Sequence, residues 1–320
     1  MTGFARYRLC GVTLETDWPI ISPLLWATDE VDLHFSVVSD APGQGKWHVE
    51  AGIDPPPDMS RMERGRIGST EVVRFTDFGD AWLVGGDEIV FHLARPEHDY
   101  QVEVVLLGIL LAYWLERRGV TALHSSAVAG DGWSIGMLGP NGSGKTSLAL
   151  ELIDRGHHLV TDDLLAVSTN GHEALAHPSF PQVRLWPDQA RRLLGTTAGL
   201  DKAHPNFEKL RVPLPEAKLA DHPATLVGLY VRRQPGSGTI LIEPVPGPAS
   251  LFHLMFNSFA RVLVDIPSSR ADWLRRLGSL LEWVPVFSLP HVDDAVAVSD
   301  QASMVETHAR ELAAQSKLSG

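Results

Sequence analysis

The sequence predicts an α/β fold: a phosphate-loop core in the C-terminal part of the chain, preceded by a β-rich N-terminal region. Three observations carry that expectation. Gly139-Pro140-Asn141-Gly142-Ser143-Gly144-Lys145-Thr146 fits the pattern GxxxxGK[ST] at every fixed position. It is flanked in the required order by the apolar run 133–138, which reads as a buried strand, and by residues 147–155. The latter carry Leu148, Leu152 and Ile153 at helical spacing and end at Gly156, a C-terminal cap. Upstream of about residue 93, the signals are mainly strands.

Taken in order, strands are expected at 7–9, 12–14, 31–38, 47–50, 71–75, 81–84 and 88–92. Gly43-Gln44-Gly45, Pro55-Pro56-Pro57 and Gly85-Gly86-Asp87 break the pattern between them. Around Arg95-Pro96-Glu97-His98 the pattern changes to an apolar helix, 102–118, ended by Gly119. The boundary is placed there, with residues 1–98 as a β-rich N-terminal domain and 99–320 as the domain that carries the loop. The run 104–115 has no charge, but a membrane span needs ~20 residues, so burial under a sheet is expected.

Residues 122–129 read as a strand, Gly130-Asp131-Gly132 as a hairpin turn, and 133–138 as the strand entering the loop. His124 is therefore expected on a strand beside the loop-bearing one. After the loop helix, Gly156-His157-His158-Leu159-Val160-Thr161 leads into Asp162-Asp163. One βαβ crossover separates Lys145 from that acid pair and brings both to the same end of the sheet. After a strand at 165–168, the short segment 181–185 brings Arg184, and 196–223 reads as irregular, a lid or binding loop. Residues 224–231 and 239–245 are expected to pair as a hairpin over Gln234-Pro235-Gly236-Ser237-Gly238, and 251–264, 273–283 and 302–314 close the chain as helices.

Polyphosphate carries dense negative charge, and a glycine-rich loop at a helix N-terminus offers it backbone N–H groups and the positive end of a dipole. The expected contacts are Asn141, Gly142, Ser143, Gly144, Lys145, Thr146 and Ser147. Lys145 would reach the terminal phosphates and the Thr146 hydroxyl would ligate Mg²⁺. Asp162 and Asp163 are neighbours on an extended backbone and point opposite ways, so one can hold Mg²⁺ while the other faces an acceptor hydroxyl. An Asp-Asp pair taken alone reads as a solvated loop or a helix cap. His124 reads as either a packed core residue or a catalytic one; Arg184 and Lys209 read as surface cations or phosphate contacts. His157 and His158 face opposite sides of a strand and do not chelate together.

Composition narrows the partners. The formal net charge of −12, with no Lys/Arg cluster, argues against nucleic acid or an anionic membrane surface. Cys10 is the one cysteine, which excludes an intramolecular disulfide and suits a small buried hydrophobe. The first residues lack a secretory pattern, so a cytoplasmic location is expected.

The ordered set Leu123-His124-Ser125, then residues 138–146, then Leu150-Glu151-Leu152-Ile153-Asp154-Arg155-Gly156-His157-His158-Leu159-Val160-Thr161-Asp162-Asp163 resembles the catalytic core of HPr kinase/phosphorylase. In that family a histidine precedes the loop by a similar interval, and the loop helix ends in an Arg-Gly-His run leading to a paired aspartate. The resemblance implies a P-loop kinase core of HPr-kinase type, using ATP and Mg²⁺ and acting on a serine hydroxyl of a peptide or protein. Lys145 and the loop amides would hold the phosphates, Thr146 and one aspartate the metal. The other aspartate would be the acceptor base, with His124 beside it, and Arg184 is added as a catalytic cation. A homo-oligomer is also suggested by the resemblance.

The same core resembles the nucleotide site of phosphoenolpyruvate carboxykinases, for which this chain is short. HPr kinase proper carries a Glu-x-Arg-Gly signature after the acid pair; the nearest counterpart here is Gln182-Val183-Arg184-Leu185. The N-terminal region does not look like that family's regulatory domain either. Divergent relatives of this core phosphorylate the C-terminal serine of lasso-peptide precursors, and that acceptor is the leading expectation. The alternatives are an HPr-type protein serine kinase and an ATP-binding module or ATPase without kinase activity. A motor or transporter subunit is disfavoured, since the chain has no LSGGQ-like stretch and no apolar strand ending in Asp-Glu.

Overall fold

Alternating apolar and polar residues in the N-terminal region produce strands that hydrogen-bond into one nine-stranded sheet. The computed structural model describes residues 3–53, 61–204, 207–233, 241–292 and 295–319. The sheet runs in the order Leu25–Trp26, Ala5–Leu9, Val12–Thr16, Leu33–Val38, Glu88–Leu93, Gly79–Val84, Thr70–Phe75, Met62–Ile67, Trp47–Ile53. Two of these strands are not legible in the sequence. Leu25–Trp26 is too short to show a period, and Met62–Ile67 is masked by its charges. Its Arg64 is buried and paired with Glu71 at 2.7 Å, which offsets the cost of burial. The Pro55-Pro56-Pro57 turn lies outside the described residues.

The apolar helix follows as Tyr100–Val105, a π-helical segment Leu106–Leu110, and Leu111–Arg117. Gly108 departs from helical geometry there (φ −106°, ψ −105°). Leu106, Leu110, Leu111 and Trp114 are buried in one continuous apolar cluster that also holds Leu14 and Phe91 of the N-terminal sheet and Leu123 and Leu165 of the core. The helix is thus packed between two sheets, which explains why it is apolar all round. Among the described residues no helix is long and apolar enough to cross a membrane.

The core sheet has the order Thr121–His124, Leu164–Thr169, Ala174–His177, Ala224–Arg233, Trp133–Leu138, Ser126–Gly130, His158–Thr161. The strand expected at 122–129 breaks at Ser125. Its first half pairs with Leu164–Thr169, His124 opposite Leu164, and its second half pairs with both Trp133–Leu138 and His158–Thr161. The partner chain breaks at the same level, at Asp162-Asp163, and Ser125 N donates to Asp163 O at 3.0 Å across the gap. His124 therefore does not lie on the neighbour of the loop-bearing strand as expected; Ser126–Gly130 does. Trp133–Leu138 and His158–Thr161 flank that strand, both antiparallel to it, so they run parallel to each other. The crossover helix Lys145–Asp154 joins them and buries Leu148, Leu152 and Ile153 against Ile135 and Leu159.

Residues 196–223 are more regular than expected. Lys202–His204 and Phe207–Pro213 form a three-stranded sheet with Gln182–Leu185. Charged residues interleave with Leu210 and Val212, which are buried with Val183 and Leu185, so the period is hard to see. The expected 224–245 hairpin is also replaced. Ala224–Arg233 runs parallel to Trp133–Leu138 and to Val286–Pro290, while Glu243–Pro244 pairs with Val286–Pro290; the turn at 234–238 lies outside the described residues. The helix expected at 251–264 stops at Asn257, where Ser258 turns extended and Phe259 N donates to Ala122 O, and resumes as Arg261–Val264. Pro187–Leu194 forms a helix not foreseen, and Arg270–Trp283 and Ala295–Ser319 complete the chain.

Candidate functional site

The phosphate loop leaves the end of Trp133–Leu138 with Gly139, Gly142 and Gly144 all at positive φ (138°, 80° and 80°). At Gly144 a Cβ would stand 2.6 Å from His291 Nδ1, so both conformation and space require glycine. Lys145 folds back over the loop, its Nζ donating to Gly139 O at 2.7 Å and Pro140 O at 3.2 Å. Burial pulls its pKa down to about 8, opposed by the charge of Asp162. Beneath the loop lies Arg232, 2% exposed. Its Nε donates to Ser143 O at 3.1 Å, one Nη bonds Gln301, and the other lies 3.3 Å from His291 Nδ1. Asn257 Oδ1 accepts from Gly139 N at 3.1 Å.

The acid pair sits at the double break in the strands. Asp162 turns toward the loop: its Oδ1 accepts from Thr146 Oγ1 at 2.8 Å and Ser126 Oγ at 2.5 Å, and its Oδ2 accepts from Arg184 N at 2.8 Å. Burial raises its pKa, and those three hydrogen bonds only partly oppose it. Asp163 turns the other way. Its Oδ1 lies 3.3 Å from His124 Nδ1 and its Oδ2 lies 2.8 Å from Arg184 Nη1. Burial pushes this carboxyl up as well, but the Arg184 charge, then the His124 hydrogen bond, outweigh it and hold it at about 2. Two adjacent carboxylates are thus driven apart in acidity, Asp163 being the one held firmly ionised.

Thr146, Asp162, Asp163, His124 and Arg184 therefore form one connected set, and Asn141 to Ser147 line the same cavity, of about 1250 Å³. Lys209 is there too, its Nζ 5.7 Å from the centre of the Trp186 ring. His157 is elsewhere, buried against Trp133 and 3.2 Å from Glu306, while His158 is exposed, so the two do not converge. Thr146 Oγ1 and Asp162 Oδ1 are hard oxygen donors held side by side, which suits Mg²⁺. Among the described residues no group of three or more His, Cys, Asp or Glu could hold a metal alone, so phosphate oxygens and water would complete the shell.

Sequence reasoning missed Ser126, Asn257, Arg232 and Gln301. Arg232 carried a signal, a charge ending the otherwise apolar run Leu226-Val227-Gly228-Leu229-Tyr230-Val231. Asn257, a lone amide in an apolar helix, carried another. Ser126 gave none.

No protein-family model matches the chain. It is 33% identical over 127 residues to the HPr kinase/phosphorylase of Treponema pallidum (strain Nichols), covering 37% of this chain and 40% of that protein. It is 44% identical over 63 residues to the HPr kinase/phosphorylase of Chloroherpeton thalassium, covering 19% of this chain and 18% of that one. The chain thus matches well under half the length of these curated relatives. The Hpr(Ser) kinase/phosphatase structure from Coxiella burnetii aligns at 12% identity and a TM-score of 0.34, over 62% of this chain and 99% of that one, a likeness too weak to carry weight.

Proposed function

We propose that this chain, a divergent relative of HPr kinase/phosphorylase, is an ATP- and Mg²⁺-dependent kinase that transfers phosphate to a serine hydroxyl of a peptide or protein. The observation that carries the reading is the division of labour in the acid pair across the strand break, Asp162 tied to Thr146 and Asp163 tied to His124 and Arg184. When bound, ATP supplies the phosphoryl group, and Mg²⁺ offsets its charge.

The chain's own residues divide the remaining work. The loop N–H groups and Lys145 hold the phosphates, and Lys145 exchanges its bonds to Gly139 O and Pro140 O for bonds to phosphate oxygen. Thr146 and Asp162 would hold the cation. Asp163, kept ionised by Arg184, accepts the acceptor's proton at a carboxylate oxygen, and His124 fixes that carboxylate's orientation. Arg184 also offers positive charge toward the developing phosphoryl group. The leading acceptor is the C-terminal serine of a lasso-peptide precursor. Two departures count against HPr itself: Gln182-Val183-Arg184-Leu185 in place of Glu-x-Arg-Gly, and an N-terminal region whose sequence does not look like the HPr kinase regulatory domain. HPr itself is the alternative.

Labelled-ATP transfer onto a panel of serine-ended peptides and HPr tests this. Transfer is expected in the presence of Mg²⁺ and is expected to vanish in Lys145→Ala and in the Asp162→Ala, Asp163→Ala double variant. Robust transfer by the double variant would overturn the assignment, and tight ATP binding with no transfer to any acceptor would leave a binding module.

A further inference from the structure

Phe207–Pro213 pairs antiparallel with Gln182–Leu185, Leu210 opposite Leu185 and Arg211 opposite Arg184. Alternation along the two strands buries Val183, Leu185, Leu210 and Val212 in the apolar cluster on one side. The residues between them, Arg184, Lys209 and Arg211, line the cavity that holds the acid pair. Two of these three cations are already matched. Arg184 Nη1 lies 2.8 Å from Asp163 Oδ2, and Arg211 Nη1 donates to Glu103 Oε1 at 3.1 Å. Lys145 is likewise held, by the carbonyls of Gly139 and Pro140. Lys209 differs from all of them. It is partly buried, has no carboxylate within 4.0 Å among the described residues, and meets the Trp186 ring, its Nζ 5.7 Å from the ring centre. An ammonium partly withdrawn from water, with an aromatic face but no counter-ion beside it, is prepared to receive an anion.

The place of that anion follows from what the Lys209 charge acts on. It lowers the pKa of Lys145 and also that of Asp163. Lys209 thus stands within electrostatic reach of both ends of the proposed transfer path, the group that holds the phosphates and the carboxylate that takes the proton. We infer that Lys209 is a catalytic cation whose ammonium binds the terminal phosphoryl group of the nucleotide and stays with it as that group crosses to the acceptor oxygen. Arg184 is less free to do this, because its charge balances Asp163. In the step that Lys209 assists, a bond forms from the serine oxygen to the terminal phosphorus while the bond from that phosphorus to the bridging oxygen breaks. The electron pair leaves with the bridging oxygen on ADP, and the hydroxyl proton goes to Asp163. Lys209 keeps its proton throughout and exchanges only hydrogen bonds. The inference rests on the kinase reading for the acceptor, while the contact to the terminal phosphate can be read without one.

Lys209→Met removes the charge while keeping a long flexible side chain against Trp186. Calorimetric titration of the full chain with Mg²⁺ and either ADP or a non-hydrolysable ATP analogue reads the contact without turnover. The variant is expected to lose at least about tenfold in affinity for the triphosphate and to bind ADP as the parent does. In the labelled-ATP assay its kcat is expected to fall at least about a hundredfold with KM for the acceptor peptide unchanged, and Lys209→Arg should recover part of both losses. Lys202→Met removes a cation paired with Glu208 in the same small sheet, away from the residues that line the cavity, and should leave every value at the parent's. Equal losses for ADP and the analogue, no loss for either, or an undiminished kcat overturns the inference. A raised KM for the acceptor at unchanged kcat assigns Lys209 to an anionic group on the acceptor and overturns it too. A loss confined to the triphosphate, in a protein that transfers phosphate to no acceptor, supports Lys209 as the terminal-phosphate ligand and overturns the kinase reading instead.

Discussion

Asp163 is expected to lose its low pKa when Arg184 is replaced by Met. Burial alone pushes this carboxyl up from its ordinary value of 3.8, and Arg184 at 2.8 Å is the leading counterweight that brings it to about 2. In Arg184→Met, His124 and Lys209 remain, and the pKa should return to 3.8 or above. At 1.36 kcal/mol for each factor of ten, that return corresponds to about 2.4 kcal/mol. The Arg184 side chain is 34% exposed, so water already screens part of the attraction, and about 1–2 kcal/mol is the expected effect. The sign follows from linkage: a carboxyl held below its unfolded value contributes stability that is present above about pH 4 and lost as pH falls toward 2. The variant should therefore be less stable than the parent by that amount at pH 7, with the difference shrinking as pH falls from 4. Urea unfolding followed by tryptophan fluorescence between pH 3 and 7 reads this directly. A difference of the same size at pH 3 and pH 7, or none at pH 7, would refute the electrostatic account.

Gly142 and Gly144 share a φ of 80°, but only Gly144 has a neighbour in the way. Gly142→Ala should therefore cost only the left-handed strain of about 1–2 kcal/mol, while Gly144→Ala should weaken ATP binding far more; calorimetric titration showing equal losses would contradict the geometry. With Lys145 held near pH 8 in the free protein, ATP affinity should fall as pH rises from 7 to 9 because the ammonium is lost, and Lys145→Arg should flatten that profile. A flat profile in the parent protein would count against it. Arg232 has no carboxylate within 4.0 Å among the described residues and donates to Ser143 O and Gln301, so Arg232→Met should lower the melting temperature modestly, by leaving those buried acceptors without a donor, and weaken ATP binding roughly tenfold. A large drop in melting temperature with unaltered affinity would reverse that assignment.

The loop, its strand and helix, and the acid pair were all legible because their chemistry demands particular residue types at fixed spacing. The crossover placing Lys145 and Asp162 at one end of the sheet is likewise a local property of strand and helix direction. The double break at Ser125 and Asp162-Asp163 was not legible, since nothing in Leu123-His124-Ser125-Ser126-Ala127 marks where a strand changes partners. The pairing of Ala224–Arg233 was hidden for a related reason, as parallel partners lie far away in sequence. Met62–Ile67 and Phe207–Pro213 were obscured by charges whose partners only the folded chain supplies, Glu71 for Arg64 and Glu103 for Arg211.

Cys10 stands at the tip of the hairpin joining Ala5–Leu9 to Val12–Thr16, and among the described residues it is the one non-glycine at positive φ, 56°. Its N–H donates to Pro178 O at 2.8 Å and its sulfur lies 3.1 Å from Ser179 Oγ, so the hairpin tip is plugged into the core chain between Ala174–His177 and Gln182–Leu185. Burial pushes the thiol up to about 12. At neutral pH the thiol can then attack a disulfide reagent only when the tip withdraws, and the single sulfur becomes a stopwatch for the seam between the two sheets. Its labelling rate counts how often the N-terminal sheet lifts off, and any ligand that bridges the seam should slow it.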